Sequence, residues 1–126
     1  MKYILINFIF ILVLFNCYSC EKKHSEMHYI SLNTTTVVAL SCNDLANSSQ
    51  IKNLILSEDN NERLAKIFSK LKPAESDWTV DARISGFIYN NSTKLNFCMS
   101  STIIEINGKK YFVNDELRSY MILITK

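Results

Sequence analysis

Apolar and polar residues alternate along the stretch WTVDARISGFIYNNSTKLNFCM in two runs separated by a polar turn at Asn91 and Ser92. That pattern predicts two antiparallel strands, each with one covered face. Folding about a two-residue turn sets Ile88 opposite Leu95, Gly86 opposite Phe97 and Ile84 opposite Met99. The apolar residues of both runs then share a face, which specifies the register. Gly86 is expected to leave room for the Phe97 ring across the ladder. A second hairpin is signalled by IIEINGKKYFV, whose Asn107-Gly108 pair accepts positive φ at both turn positions. It sets Ile104 opposite Tyr111 and Ile106 opposite Lys109, with Glu105 opposite Lys110 on the other face.

Upstream, Thr34–Cys42 reads TTTVVALSC, β-branched and nearly continuous in its apolar residues, so it predicts a strand covered on both faces or central in its sheet. Ile51–Leu56 is compatible with a short strand or a helical turn. Leu64, Ile67, Phe68 and Leu71 recur at the spacing of one buried helical stripe. Asp59 is the expected cap, with Glu62 three residues on as a capping box places it, and Pro73 ends the segment. Glu62, Arg63, Lys66 and Lys70 form the solvated side of that helix. Asn114 is expected to cap a last helix whose first turn carries Asp115 and Glu116 and whose apolar stripe is Leu117, Tyr120, Met121 and Ile124. The order strand, helix, four antiparallel strands, helix makes an α+β domain: a single antiparallel sheet of about five strands with two helices packed on one face.

The first twenty residues follow a different pattern. Ile4–Phe15 is apolar apart from Asn7, and as a helix it would span about 18 Å, short of a ~30 Å hydrocarbon core. A basic Lys2, a short apolar middle and the small Ser19 before Cys20 describe a secretory signal. Residues 14–20, LFNCYSC, resemble the lipobox of bacterial lipoproteins, with Cys17 where that family usually has an aliphatic residue and Tyr18 bulky for its place. The resemblance covers residues 1–20 and implies that the signal is cut before Cys20. It further implies that Cys20 carries a thioether-linked diacylglycerol and an acylated amino group, so that Cys17 leaves with the signal. The organisation expected is a signal peptide over 1–19, a lipidated cysteine and flexible tether over 20–28, and a small domain over 29–126. The location expected is the cell envelope, on the extracytoplasmic side of a membrane.

With 14 basic against 12 acidic residues in 126, and a formal charge of +2, no basic block marks a nucleic-acid surface. Both histidines, His24 and His28, fall in the expected tether, which leaves the predicted body without the imidazole that nucleophilic triads and most zinc sites use. As a helix the tether could aim both rings at one ion, but further ligands are missing, so no metal and no cofactor is expected. Gly86 and Gly108 both serve hairpins, leaving no glycine loop for a phosphate. Asp77 with Asp81, or Glu58 with Asp59 and Glu62, are the carboxylates that could divide acid and base roles. A bridge between Cys42 and Cys98 suits an oxidising space. It requires Cys42 to face as Cys98 does, opposite to Leu95, Phe97 and Met99, whereas as a strand residue Cys42 shares parity with Val38 and Leu40.

On the outer face of the long hairpin, Asp81, Arg83, Phe87 and Tyr89 alternate outward beside Asn96, the composition of a protein-binding surface. The expected function is that of a lipid-anchored, non-catalytic binding module, of which an inhibitor or a toxin-immunity protein is one concrete form. A small envelope hydrolase working through paired carboxylates, with a deep cleft at Asp77 or Asp81, is the alternative. An accessory subunit of an envelope complex is a third. The expected partners are a membrane, through the N-terminal lipid, and another protein.

Overall fold

The computed structural model describes residues 23–126; the leader, the lipobox and Cys20 lie outside them. The elements run β1 (Ser25–Tyr29), α1 (Cys42–Leu45), β2 (Lys52–Leu56), α2 (Glu58–Phe68), β3 (Ile84–Asn90), β4 (Thr93–Met99), β5 (Ile103–Ile106), β6 (Lys109–Phe112) and α3 (Asp115–Ile124). The strands form one six-stranded sheet in the order β2-β1-β3-β4-β5-β6, antiparallel throughout. The α+β class is as the residue pattern predicts, with one strand more.

Both hairpins have the register their alternation predicts. Ile84 faces Met99, Gly86 faces Phe97 and Ile88 faces Leu95, while Ile104 faces Tyr111 and Glu105 faces Lys110. The turn residues Asn91, Asn107 and Gly108 take positive φ, at 56°, 47° and 82°. On the inner face Met27, Tyr29, Ile84, Ile88, Phe97, Met99, Ile104 and Ile106 pack against Leu64, Ile67 and Phe68 of α2 and Leu117, Tyr120 and Met121 of α3. At about 1.5–3 kcal/mol for each fully buried aliphatic or aromatic side chain, this layer is the main stabilising contribution. Asn114 caps α3, its side chain accepting from the Leu117 amide at 2.8 Å. The cap of α2 is Ser57, which accepts from the Asn60 amide at 3.1 Å. Asp59 instead sits in the first turn, where its charge suits the positive helix end.

Three expectations are corrected. Residues 25–28, placed in a flexible tether, form with Tyr29 the strand β1, paired on both sides by β2 and β3. Ser25, Met27 and Tyr29 turn inward, and the inward hydroxyl of Ser25 donates to the Asn61 side chain. That same Asn61 donates to the Tyr89 carbonyl at 2.7 Å and accepts from the Tyr89 amide at 2.8 Å, so α2 completes the hydrogen bonding where β1 begins. Thr34–Cys42, by contrast, is not a strand. Its backbone bonds go to Arg83, Asp81 and Ala82 rather than to a ladder, and Val37 and Val38 stand in solvent at 105% and 73% exposure. Lastly, the neighbour that requires Gly86 is β1 and not Phe97. A Cβ there would meet the Glu26 carbonyl oxygen and would lie 2.7 Å from Met27 Cα.

The sheet's two edges differ. β6 is covered by the segment after α2, where the Phe112 amide donates to the Lys72 carbonyl and the Ala74 amide to the Lys110 carbonyl, both at 2.9 Å. β2 is the other edge.

Candidate functional site

The face of the sheet away from α2 and α3 is only partly covered. Strand pairing sets Ile55, Glu26, Phe87 and Asn96 in one row across β2, β1, β3 and β4. The next row toward the β3–β4 turn holds Tyr89 beside Lys94. The Phe87 and Tyr89 rings meet edge to face with centroids 6.0 Å apart. Lys94 Nζ stands 4.1 Å from the Phe87 centroid and Lys23 Nζ 5.4 Å from that of Tyr89. Both rings are half-buried, and Lys94, Asn96 and Ile55 are exposed. Two aromatics flanked by cations form a surface that can bury apolar area while its rim stays wet.

Asp81 and Arg83, expected to belong to this surface, do something else. Arg83 is only 6% exposed. Its guanidinium makes a two-pronged pair with Asp81, Nη1 to Oδ1 at 2.7 Å and Nη2 to Oδ2 at 2.8 Å. It also donates to the Thr34 carbonyl at 3.0 Å, to the Ala82 carbonyl at 2.9 Å and to the Thr36 hydroxyl at 3.2 Å. Asp81 in turn accepts from the Leu40 amide at 2.9 Å. The Arg83 hydrogen bonds hold the Asp81 carboxyl below its ordinary pKa, against a smaller opposing effect of burial and with help from the Leu40 amide. The pair therefore clamps residues 34–40 onto the sheet, and the carboxylate proposed for acid–base work is engaged in that clamp.

The same segment is tied by a covalent bond, because Cys42 and Cys98 form a disulfide with Cα atoms 6.0 Å apart. The parity objection to this bridge disappears with the strand. Cys42 opens α1, capped by Ser41, and reaches Cys98 from above the outer face. Around the bridge Ile30, Leu45, Ala82 and Cys98 form a second, smaller core.

The histidines also change place. His28 belongs to β1 and faces outward, paired across the ladder with Ser85 and beside Glu26, so the folded body does contain an imidazole. Its Nδ1 lies 2.5 Å from Asn53 Oδ1 and its Nε2 3.4 Å from Glu26 Oε1. Glu26, His28 and Ser85 are the residue types of a nucleophilic triad, but the hydrogen bond that the ring makes is to Asn53. His24 lines a groove of about 860 Å³ with Leu56, Glu58, Glu62, Lys66 and Tyr89. Because β1 is extended, the two rings are not stacked as a helix would stack them. Among the described residues no three His, Cys, Asp or Glu side chains gather as a metal site.

Compared with known protein families, curated proteins and solved structures, the chain matches none.

Proposed function

We propose that this chain is a lipid-anchored cell-envelope protein that works as a non-catalytic binding module, with inhibition or neutralisation of a protein met at the membrane surface as its concrete form. The observation that carries the reading is the Phe87–Tyr89 pair with Lys94 and Asn96, half-open on a sheet face and located at the end of β1 where the chain runs back toward Cys20. From Cys20 to Lys23 the chain can span at most about 10 Å, so an acylated Cys20 holds this face close to the bilayer. The Cys42–Cys98 bond supports the compartment, since structural disulfides persist in oxidising spaces. The lipobox resemblance of residues 14–20 supports the anchor.

The test is crosslinked capture from intact cells with the F87A/K94E variant, leaving Arg83 intact because it holds the fold. Capture of the partner should fall at least roughly tenfold while the melting temperature stays within a few degrees. Undiminished capture, or loss that tracks unfolding, would reject the sheet face as the binding surface. Copurification of one envelope protein in constant stoichiometry would favour the accessory-subunit reading instead.

A further inference from the structure

Strand β2 pairs with β1 on one side and with no strand on the other, and the hydrogen-bond directions within the sheet determine which of its backbone groups are left over. The Ile30 amide donates to the Arg83 carbonyl at 2.9 Å, so Ile30 and, by strand alternation, His28 and Glu26 turn their backbone groups toward β3. Tyr89 agrees with this parity, since its amide and carbonyl, on the β1 side of β3, are taken by the Asn61 side chain. Ser25, Met27 and Tyr29 therefore bond to β2, at Leu56, Leu54 and Lys52. The amides and carbonyls of Asn53 and Ile55 are left pointing out of the sheet edge.

Among the described residues no loop bonds to them, in contrast to β6, whose edge the segment after α2 covers. At either end of this free stretch the chain closes on itself. The Ile51 amide donates to the Ser48 carbonyl at 3.3 Å, and the Ser57 carbonyl accepts from the Asn61 amide at 2.9 Å. The open edge is thus Asn53 and Ile55, with Leu54 at its centre, and the occupant such an edge specifies is an extended strand.

We infer that the occupant is a second copy of this chain, whose β2 pairs antiparallel with this one about a two-fold axis through Leu54. In that register Asn53 faces Ile55 of the second copy and Ile55 faces its Asn53, each pair exchanging both N–H···O bonds. A slip of two residues in either direction sets one of these residues against Ile51, whose amide is already engaged, or against Ser57, whose carbonyl is. The side chains favour the same register. Leu54, half-buried against the main core, meets Leu54 of the second copy on the inner face, in the closely spaced kind of pair with Cα atoms about 4.5 Å apart. Lys52, the only charge in the strand, lies opposite Leu56 of the second copy and about 14 Å along the strand from the other Lys52. It stands there beside the acidic first turn of the other copy's α2, Glu58 and Asp59. Neither Cys20 nor Phe87 takes part, so the pairing stands apart from the anchor and the binding face proposed above.

The experiment compares two full-length variants, Leu54→Cys and Lys52→Cys, oxidised with copper phenanthroline in intact cells beside the wild type. The expected result is a reducible species of twice the chain mass from the first, its linkage mapped from position 54 to position 54. The yield from Lys52→Cys should be at least roughly tenfold lower, because position 52 lies beyond the ~7 Å over which a disulfide reaches. Adding Ile55→Pro to Leu54→Cys removes an outward N–H and leaves the β1 ladder intact. It should cut the yield about tenfold with the melting midpoint within a few degrees. A monomeric Leu54→Cys chain, equal yields at positions 52 and 54, linkage of position 54 to a different protein, or a yield that Ile55→Pro leaves unchanged would each overturn the inference. Should the proline variant melt early, the contrast between positions 52 and 54 decides alone. Loss of capture in F87A/K94E with the 54-to-54 linkage retained would concern the binding face and leave the pairing standing.

Discussion

Replacing Cys42 and Cys98 together by alanine removes a bond between residues 56 apart in sequence. In the chain-entropy account, closing a loop of that length restricts the unfolded chain by about 4 kcal/mol at 25 °C, within the ~2–5 kcal/mol range for native bridges of small exported domains. For a domain of this size each kcal/mol moves the midpoint by about 4–8 °C, so a drop of roughly 15–30 °C is expected. The assay is thermal unfolding of wild type with and without reductant beside the double variant, together with a thiol count in denaturant. Reduced wild type and the variant should melt together, and the unreduced chain should show no free thiol from Cys42 or Cys98. The loss should begin locally, because the bridge ties residues 31–45 to the outer face. Limited proteolysis should therefore cut near Val37 before the sheet melts. A midpoint indifferent to reductant, or two thiols reactive before reduction, would refute the reasoning.

Gly86→Ala should destabilise by about 1–3 kcal/mol through overpacking, because its Cβ would strike the β1 backbone beside Met27; urea denaturation measures it, and an unchanged midpoint would contradict the close approach. Asp81, whose folded pKa lies below its ordinary value of 3.8, stabilises the fold above that value and loses its contribution as pH falls through the folded pKa. Stability measured from pH 7 down should thus fall below about pH 4 in wild type, and Asp81→Asn should flatten that part of the profile. Leu64→Ala, at a fully buried helix position, should cost about 2–5 kcal/mol in the same denaturation assay.

The hairpins were legible because each is specified twice, by alternation on both strands and by turn residues that tolerate positive φ. The α3 stripe and its Asn114 cap are local signals of the same kind. β1 was not legible because one of its inward positions is Ser25, which gives no apolar signal; its partner is Asn61, 36 residues away. Thr34–Cys42 misled for the opposite reason. Its β-branched residues favour a strand locally, but Arg83 and Asp81, more than 40 residues on, take up its backbone groups. In the candidate site, parity along β3 placed Phe87 and Tyr89 correctly on the outer face, and it placed Arg83 there too. What parity cannot reveal is that a loop would descend on Arg83 and turn it from a contact into a clamp. The bridge was open for a related reason, since its feasibility depended on whether Cys42 lay in a strand.

The central claim is that this domain is held outside the cytosol by lipid on Cys20, and mass spectrometry of the N-terminal peptide from the membrane-extracted protein tests it most directly. The account predicts a peptide beginning at Cys20, heavier by a diacylglycerol thioether and an amide-linked acyl chain. A peptide beginning at Met1, with Cys20 unmodified and the protein recovered from the cytosolic fraction, would contradict it.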